Sequence, residues 1–313
     1  MDRKRVDMDT ITCKNAYYVK LGGGGTWELS SIKKNIIRIG WPRQTLSDIN
    51  NGRWDKIQKQ LEKEARDKGT ATRNCRALRM LCDSTNDDIW ITLHKSHLWW
   101  CKVTNPRIHE DKVSKYRKID RWNCKNILGE PLLINQISGR IAKLQGFRGT
   151  ICKVSEVEEL TRLINKQHSS EYTAITHSKA DLCRHVENGL RRLHPKDFEI
   201  LVDLLFRASG WRRVSLLGEM MKFTDIELEE PITGDMYQVQ VKSTATLRDL
   251  REYSDKFSGG KYRKLYFVVH TPDKKLAEIV QSDDSPVQII LPARLAEMVL
   301  ELGLLNWLLN KII

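Results

Sequence analysis

The spacing of hydrophobic and polar positions changes twice along the chain. Up to residue 154, short apolar runs rich in Ile, Tyr and Trp alternate with amphipathic helical segments, which predicts a small curved sheet or β-barrel with helices. Residues 155–194 have helical spacing and mixed charge, and they predict a helical linker. Residues 195–313 follow the order helix, three strands, helix, strand and further helices, which predicts a mixed sheet flanked by helices. The expected fold class is therefore α/β (α+β), with two domains in 313 residues.

The stretch YQVQVKS, residues 237–243, has the two-residue period of a strand. Gln238, Gln240 and Lys242 share one face of this strand, and the other face is apolar. An earlier apolar run carries Asp225 and can pair with the strand through a turn, which would bring Asp225 beside Gln240 and Lys242. The alternative interpretation is a hairpin whose outer face is polar and solvated.

The segment that opens the last domain has the pattern of an amphipathic helix. Pro195 suits the first helical turn, and Gly210 ends the pattern. We expect this helix to cover the two strands and to bring Glu199 close to Asp225. Its apolar face consists of Phe198, Leu201, Val202, Leu205 and Phe206.

These polar residues suit the hydrolysis of phosphodiester bonds. Because Mg²⁺ prefers oxygen ligands, Asp225 would anchor the ion, with Glu199 as a second carboxylate and Gln240 as a neutral amide ligand. Lys242 would orient or help to deprotonate the attacking water, and its charge would offset the charge that develops on the phosphate. The predicted catalytic set is therefore Asp225, Gln240, Lys242 and Glu199.

Residues 195–270 resemble the Mrr-type branch of the PD-(D/E)xK restriction endonuclease superfamily. The resemblance is carried by Phe198-Glu199, by Asp225 and by Gln240-Val241-Lys242. It implies a Mg²⁺-dependent endonuclease, with Mn²⁺ as an alternative ion, that cuts double-stranded DNA as a homodimer. Two features depart from the family: EMMKF replaces the glycines that usually precede the aspartate, and Glu219 adds a carboxylate.

The positive charge of the chain is concentrated in its first half. The net charge is +13; residues 1–150 hold 30 Lys+Arg and 16 Asp+Glu, a balance of +14, which leaves 23 and 24 for residues 151–313. A phosphate backbone is the most common partner for such a field, because neutralised phosphates release condensed counterions. The alternative is a basic surface that serves only to keep the protein soluble.

Tryptophan follows the same distribution, since seven of the nine residues precede residue 150. The order of strands and aromatic residues over residues 14–154 resembles PUA-like domains of the EVE and YTH kind, which read modified bases in an aromatic cage. The resemblance implies cage walls from Trp27, Trp41 and Trp99 or Trp100, while for any one of these residues taken alone a place in the core is the favoured interpretation. Two lysines are expected near phosphates or base edges, Lys20 and Lys95.

The sequence QGFRGT contains Arg148 between two glycines, a candidate phosphate contact or a plain turn. His94 and His97 fall in an expected turn and are interpreted as solvated or hydrogen-bonded side chains rather than metal ligands. The seven cysteines include no C-x-x-C pair, which predicts reduced thiols. No apolar run approaches the roughly 18 residues of a membrane span, and we expect a cytoplasmic protein without membrane contact.

Together these patterns predict a modification-dependent restriction endonuclease that defends against foreign or phage DNA. Two other functions stay open. The chain can be a non-catalytic reader of nucleic acid, or a defence nuclease that a partner protein or a signal nucleotide activates.

Overall fold

The computed structural model describes residues 10–105, 107–214, 225–257, 260–282 and 284–313. The chain divides into two compact units, Met1–Ser170 and Glu171–Ile313. The division falls inside the predicted helical linker, residues 155–194. Both units combine helices with β-sheets, as the expected α/β (α+β) class requires.

The described strands of the first unit form two sheets. The strands are β1 Asn15–Val19, β2 Ile36–Ile39, β3 Asp88–His94, β4 His97–Lys102, β5 Ile108–Glu110, β6 Lys115–Lys118 and β7 Ile151–Val154. The larger sheet has four strands in the order β4-β3-β1-β7, and the smaller sheet has the order β2-β6-β5.

The predicted barrel is therefore wrong for the residues that the structure describes, because neither sheet closes on itself. The edge strands of the larger sheet, β4 and β7, do not pair with each other, while the internal strand β1 pairs in parallel with β3 and antiparallel with β7. The hairpin of β3 and β4 is confirmed. Lys95 and Ser96 form its two-residue turn with φ values of 46° and 63°, the left-handed geometry of a tight hairpin turn.

The helices of the first unit pack on both sides of the larger sheet. Helices α3 and α4 contribute Ile57, Leu61, Leu78 and Leu81 to the core on one side. Asp67 caps α4 by accepting a hydrogen bond from the Thr70 backbone N–H, and Gly69 lies in the first turn of this helix. The helices are α1 Glu28–Lys34, α2 Leu46–Asn50, α3 Trp54–Glu64, α4 Lys68–Asp83, α5 Gly139–Ala142 and α6 Val157–Ile164, with short 3₁₀ turns at Gly23–Gly25, Ile134–Gln136 and Lys143–Gly146.

The predicted linker takes part in both cores. Leu160 and Ile164 of α6 are fully buried in the first unit. Helix α7, Ser170–Leu190, buries Val186 and Leu190 in the core of the second unit. The two ends of this segment are thus integral parts of folded units.

The second unit is built around a five-stranded sheet in the order β12-β11-β10-β9-β8. β10 is its central strand, antiparallel to β9 and parallel to β11. The strands are β8 Arg212–Arg213, β9 Ile226–Glu229, β10 Met236–Ala245, β11 Tyr262–Pro272 and β12 Val287–Ile290. The helices are α8 Pro195–Ala208, α9 Leu247–Lys256, α10 Lys274–Ala277, α11 Pro292–Glu301 and α12 Leu305–Lys311.

Two hydrophobic clusters cover the two faces of this sheet. One face carries Val239 and Val241 and is covered by four helices, α7, α8, α11 and α12. The other face carries Phe267 and Val269 and is covered by Leu250 of α9 and Leu276 of α10. The last two helices, α11 and α12, are separated at Gly303, which adopts φ 72°. No helix among the described residues is long and apolar enough to cross a membrane.

Candidate active site and an aromatic pocket

Helix α8 holds Glu199 at the edge of the second unit's core. His194 caps the helix by accepting a hydrogen bond from the Lys196 backbone N–H, and Pro195 occupies the first turn. Phe198 is 0% exposed, so the neighbouring Glu199 points away from the core centre, into an exposed position. The predicted apolar face of this helix is confirmed, since its five members are buried.

The predicted hairpin of β9 and β10 is also confirmed. Gln238 pairs with Glu227 across the two strands, and the connecting turn contains Gly234 at φ 73°. The Glu230 carboxylate accepts hydrogen bonds from the backbone N–H groups of Ile232 and Thr233 and so closes this turn. The register places Asp225, one residue before β9, beside the middle of β10.

Hydrogen bonds fix Asp225 to the central strand. Its backbone N–H donates to the Val239 carbonyl at 3.1 Å. Its Oδ2 accepts the Val241 backbone N–H at 2.6 Å and a short hydrogen bond from Gln240 Nε2. Because Nε2 donates to the carboxylate, Gln240 Oε1 points elsewhere; this atom is buried and has no partner among the described residues.

Gln240 is only 3% exposed, which contradicts the interpretation of a solvated polar face. In the parallel register, Gln240 lies opposite Phe267 and Lys242 opposite Val269. Phe267 and Val269 belong to the hydrophobic cluster that also contains Leu250 of α9, so this helix encloses the polar face of β10. Gln238 stays half-buried at the outer end of the same face.

Glu199 lies within electrostatic range of Asp225, and burial raises the pKa of both carboxyl groups. Partial burial raises the pKa of Glu199, and the negative charge of Asp225 raises it further against the opposing charges of Lys196, Arg213 and Lys242. Burial also raises the pKa of Asp225, although its hydrogen bond with Val241 and the charge of Lys242 act in the other direction. Both pKa values are thus raised chiefly by burial, in the presence of nearby cations.

Lys242 is held against an aromatic ring. Its Nζ lies 5.3 Å from the centre of the Tyr253 ring, within range of a cation–π interaction. Burial acts to lower the pKa of Lys242, but the hydrogen bond with Tyr253 and the charges of Tyr253, Asp225 and Asp249 outweigh it, so the pKa is raised. Lys242 is consequently a stable cation near Asp225. Tyr253, on α9, was not foreseen from the sequence; only its place in the helix after Gln-x-Lys could have indicated it.

The donor set of this carboxylate–lysine cluster, which we define as Glu199, Asp225, Gln240 and Lys242, fits a hard divalent cation. Two carboxylates and one unpartnered amide oxygen are all oxygen ligands, as Mg²⁺ prefers. No group of three or more His, Cys, Asp and Glu side chains arranged for a metal occurs within the described ranges. The residues EMMKF and Glu219, which the sequence places just before Asp225, lie outside the described residues.

Four of the predicted nucleic-acid contacts of the first unit line one cavity of about 350 Å³. Trp27 and Trp41 form apolar walls, and Lys20 and Arg148 supply positive charge. We call this cavity the glycine–tryptophan pocket, because residues from three glycine-containing segments complete it. These further lining residues are Gly22, Gly23, Gly24, Gly40, Gly149 and Thr150.

Backbone geometry at this pocket is unusual. Trp41 adopts φ 64°, a left-handed conformation that is an outlier for a bulky side chain and that concentrates at binding sites. Gly22 has φ 88°, and a Cβ atom there would lie 2.6 Å from Thr26 Oγ1 and 3.0 Å from Trp27 Cγ. Only glycine at position 22 therefore lets the loop approach Trp27 so closely. The four-glycine run was visible in the sequence, but its association with residues 148–150 was not.

The other predicted contacts of the first unit lie elsewhere. Trp99 and Trp100 line a separate cavity, so neither joins Trp27 and Trp41 as a wall of the glycine–tryptophan pocket. Lys95 is exposed in the turn between β3 and β4. His94 is bonded through Nδ1 to Glu28 at 2.5 Å and His97 to the Lys95 carbonyl at 2.8 Å, which agrees with hydrogen-bonded histidines.

Comparison of the chain with protein-family models and with curated proteins finds no match.

Proposed function

We propose that the chain is a Mg²⁺-dependent endodeoxyribonuclease of the modification-dependent restriction type, acting in defence against foreign or phage DNA. The carrying observation is the contact of Asp225 with Gln240 and the Val241 backbone, beside Glu199 and Lys242. This arrangement supports the role that the resemblance to Mrr-type nucleases implies. Mn²⁺ is the alternative ion.

Glu199, Asp225 and Gln240 Oε1 would hold the ion. Three features support this assignment: both carboxylates have raised pKa values, burial is the first cause of each shift, and the amide oxygen is buried without a partner. A cation between them would relieve the repulsion and satisfy the oxygen. The bound metal would polarise the scissile phosphate and lower the pKa of a coordinated water.

Lys242 would act as a cation rather than as a base. Because its pKa is raised, the ammonium keeps its protons at neutral pH and can only donate hydrogen bonds. Nζ would orient the attacking water and offset the charge that builds on the non-bridging oxygens. Of the two roles expected from the sequence, orientation of the water is thus favoured over its deprotonation.

The glycine–tryptophan pocket would hold one base turned out of the duplex. Its two tryptophans can replace the stacking that a flipped base loses, and Lys20 and Arg148 can contact its phosphates. The positive balance of residues 1–150 supports double-stranded DNA as the partner. A homodimer would supply one cleavage site for each strand.

The direct test uses matched duplexes that carry unmodified, methylated, hydroxymethylated or glucosylated cytosine, incubated with the protein and Mg²⁺ or Mn²⁺. We expect metal-dependent cleavage that prefers one modified duplex. Equal cleavage of all duplexes would remove the modified-base specificity but keep the nuclease.

A non-catalytic reader is the second candidate, and the pocket is the observation that favours it. It predicts selective binding of a modified duplex with no cleavage in either metal. A nuclease that depends on a partner or a signal nucleotide predicts cleavage only after that component is added.

A further inference from the structure

Helix α4 of the first unit carries a row of cations on one exposed face. The only acidic residue of this helix is Asp83, at its last position. The basic residues are Lys68, Arg73, Arg76 and Arg79, and all four are exposed. We call this surface the α4 basic face. None of its residues lines the glycine–tryptophan pocket, and the proposed function does not use it.

The position of these cations follows from the packing of α4. The opposite side of the helix buries Ala71, Leu78 and Leu81 in the core of the unit. The three arginines recur at intervals of three residues, which keeps them on one side of the helix and away from that core. Arg73 and Arg79 are six residues apart, which corresponds to about 9 Å along the helix axis. The apolar side of α4 is thus already covered, and its basic side faces outward.

Nearby carboxylates neutralise little of this charge. In the part of the chain that the structure describes, three of the four basic residues form no ion pair with a carboxylate. The fourth, Arg79, lies 3.4 Å from Asp83, and both side chains are more than half exposed. Asp67, which precedes the helix, accepts hydrogen bonds from Thr70 and lies 3.6 Å from Arg66. Because exposed ion pairs are weak, the face keeps most of its positive charge.

The neighbouring helix α3 shows that such a charge pattern is not general for the exposed helices of this unit. α3 packs against α4 and contains three basic and three acidic residues, a mixture typical of a solvated surface. Like charges one helical turn apart disfavour a helix, so the unbroken row of cations weakens α4. A pattern that weakens its own element is typical of a functional surface. The contrast favours binding over mere solubility.

Two of the arginines are held in place. Arg73 Nη2 donates to Thr70 Oγ1 at 2.8 Å. The Arg79 guanidinium lies 5.6 Å from the centre of the Trp54 ring on α3, within the range of a cation–π interaction. Because these side chains are already ordered, a partner can form charge-assisted contacts with a smaller loss of conformational entropy. Guanidinium groups also suit phosphate, since their fork of N–H donors matches its oxygen atoms.

We infer that the α4 basic face binds the phosphate backbone of a DNA duplex, at a surface separate from the pocket that would hold a flipped base. Its row of about 9 Å is long enough to meet neighbouring phosphates, which recur about every 3.4 Å of duplex axis on each strand. The helix exposes no large apolar side chain, which disfavours a lipid surface or a protein as the partner. The inference rests on the proposed binding of DNA by the first unit, and it adds contacts that do not distinguish between bases.

The test measures the affinity for short duplexes in EDTA at several salt concentrations, so that binding is separated from cleavage. The probes are unmodified DNA, the preferred modified DNA and RNA of the same sequence, followed by fluorescence anisotropy. The test variant is Arg73→Ala/Arg76→Ala, in which alanine preserves the helix. The control is Lys59→Ala/Lys63→Ala, which removes the same charge from exposed positions of α3. A second control, Arg73→Lys/Arg76→Lys, keeps the charge of the face.

We expect the test variant to bind modified and unmodified DNA about tenfold more weakly, with an unchanged preference between them, because it loses two phosphate contacts. The slope of log Kd against the logarithm of the salt concentration should fall by about two. The α3 control should keep the affinity and the slope of the wild type, and the lysine variant should keep the slope.

Equal losses in the test variant and the α3 control would overturn the inference in favour of a diffuse field, as would a wild type that binds no duplex. A greater loss for RNA than for DNA would overturn the choice of DNA, and a loss confined to the modified duplex would assign these arginines to base recognition. Since cleavage is not measured, a protein that cuts no DNA but loses slope only in the test variant would refute the nuclease and keep this surface. Wild-type binding by the test variant of a protein that does cut DNA would remove the surface and keep the nuclease.

Discussion

The carboxylate–lysine cluster and the glycine–tryptophan pocket are built in opposite ways. Asp225, Gln240 and Lys242 come from one hairpin, and hydrogen bonds to a central strand fix their arrangement. The pocket takes Lys20, Trp27, Trp41 and Arg148 from separate segments and depends on backbone conformations such as that of Trp41. The first group is therefore suited to hold charge at fixed positions, and the second to enclose a flat ligand.

The strongest way to test this contrast is to remove charge from the cluster alone. Asp225→Asn should lower the rate of DNA cleavage at least about a hundredfold, because it removes the anchoring metal ligand and a charge that acts in the transition state. The amide oxygen can still accept the hydrogen bonds of Gln240 and Val241, so the fold should persist. The measurement is single-turnover cleavage with Mg²⁺.

The matched control for this variant is Asp255→Asn, an exposed carboxylate on α9. It should cleave like the wild type. If both variants cleave equally, Asp225 has no catalytic role, and the contrast between the two regions fails.

Removal of aromatic surface from the glycine–tryptophan pocket should weaken the binding of DNA and leave the rate of cleavage unchanged. Trp41→Ala should raise the Kd for the preferred modified duplex about tenfold or more, since stacking of a base on an aromatic ring contributes about 1–3 kcal/mol. Cleavage at saturating DNA should change little. Fluorescence anisotropy with modified and unmodified duplexes measures the effect.

A companion pair tests the cations of the pocket. Lys20→Ala should weaken binding of the duplex, while Lys14→Ala, an exposed lysine before β1, should not. Equal losses in the two variants would indicate a diffuse electrostatic contribution and no defined pocket contact.

The strained backbone of the pocket predicts a difference between two substitutions at one position. Trp41→Gly should be more stable than Trp41→Ala by about 1 kcal/mol, because glycine adopts φ 64° without the cost that an L side chain has there. Chemical denaturation measures this difference. A more stable alanine variant would show that the left-handed conformation carries no strain.

The smallest expected effect is on the stability of the metal-free cluster. Burial raises the pKa of Asp225, so the folded protein holds a proton on this carboxyl more tightly than the unfolded chain does. The contribution of this group to stability is therefore greatest at low pH and is lost as pH rises through the raised pKa. In EDTA, Asp225→Asn should unfold at a slightly higher temperature than the wild type at pH 7, and the difference should shrink near pH 4.

At pH 7, Mg²⁺ should make the wild type unfold at a higher temperature than Asp225→Asn. It is expected to stabilise the wild type through binding to the folded state and to have little effect on Asp225→Asn. Thermal unfolding with and without the ion provides the measurement, and equal stabilisation of both proteins would exclude Asp225 as a ligand.

The features that could be predicted from the sequence are those with local signals. Pro195 and the apolar spacing after it predicted α8, and alternation around Gln240 predicted β10 with its partner β9. Because a hairpin connects near neighbours, its register also predicted the meeting of Asp225 and Gln240. These predictions required no knowledge of distant contacts.

The features that could not be predicted depend on distant segments. The enclosed position of Gln240 arises from α9 and β11, which the alternation of β10 does not encode. Trp99 and Trp100 are neighbours on β4 and line a cavity that is separate from the glycine–tryptophan pocket. Aromatic content alone could not distinguish this position from one beside Trp27. The strand order of the first unit was also not predictable, since the pairing of β1 with β7 joins residues that are remote in the sequence.

Substitution of Lys242 tests most directly whether the carboxylate–lysine cluster hydrolyses DNA, as we propose. The measurement compares wild type and Lys242→Ala for binding and for Mg²⁺-dependent cleavage of the same panel of modified duplexes. Both proteins should bind with similar affinity, and only the wild type should cleave. Cleavage by Lys242→Ala at the wild-type rate, or binding without cleavage by both proteins, would contradict it.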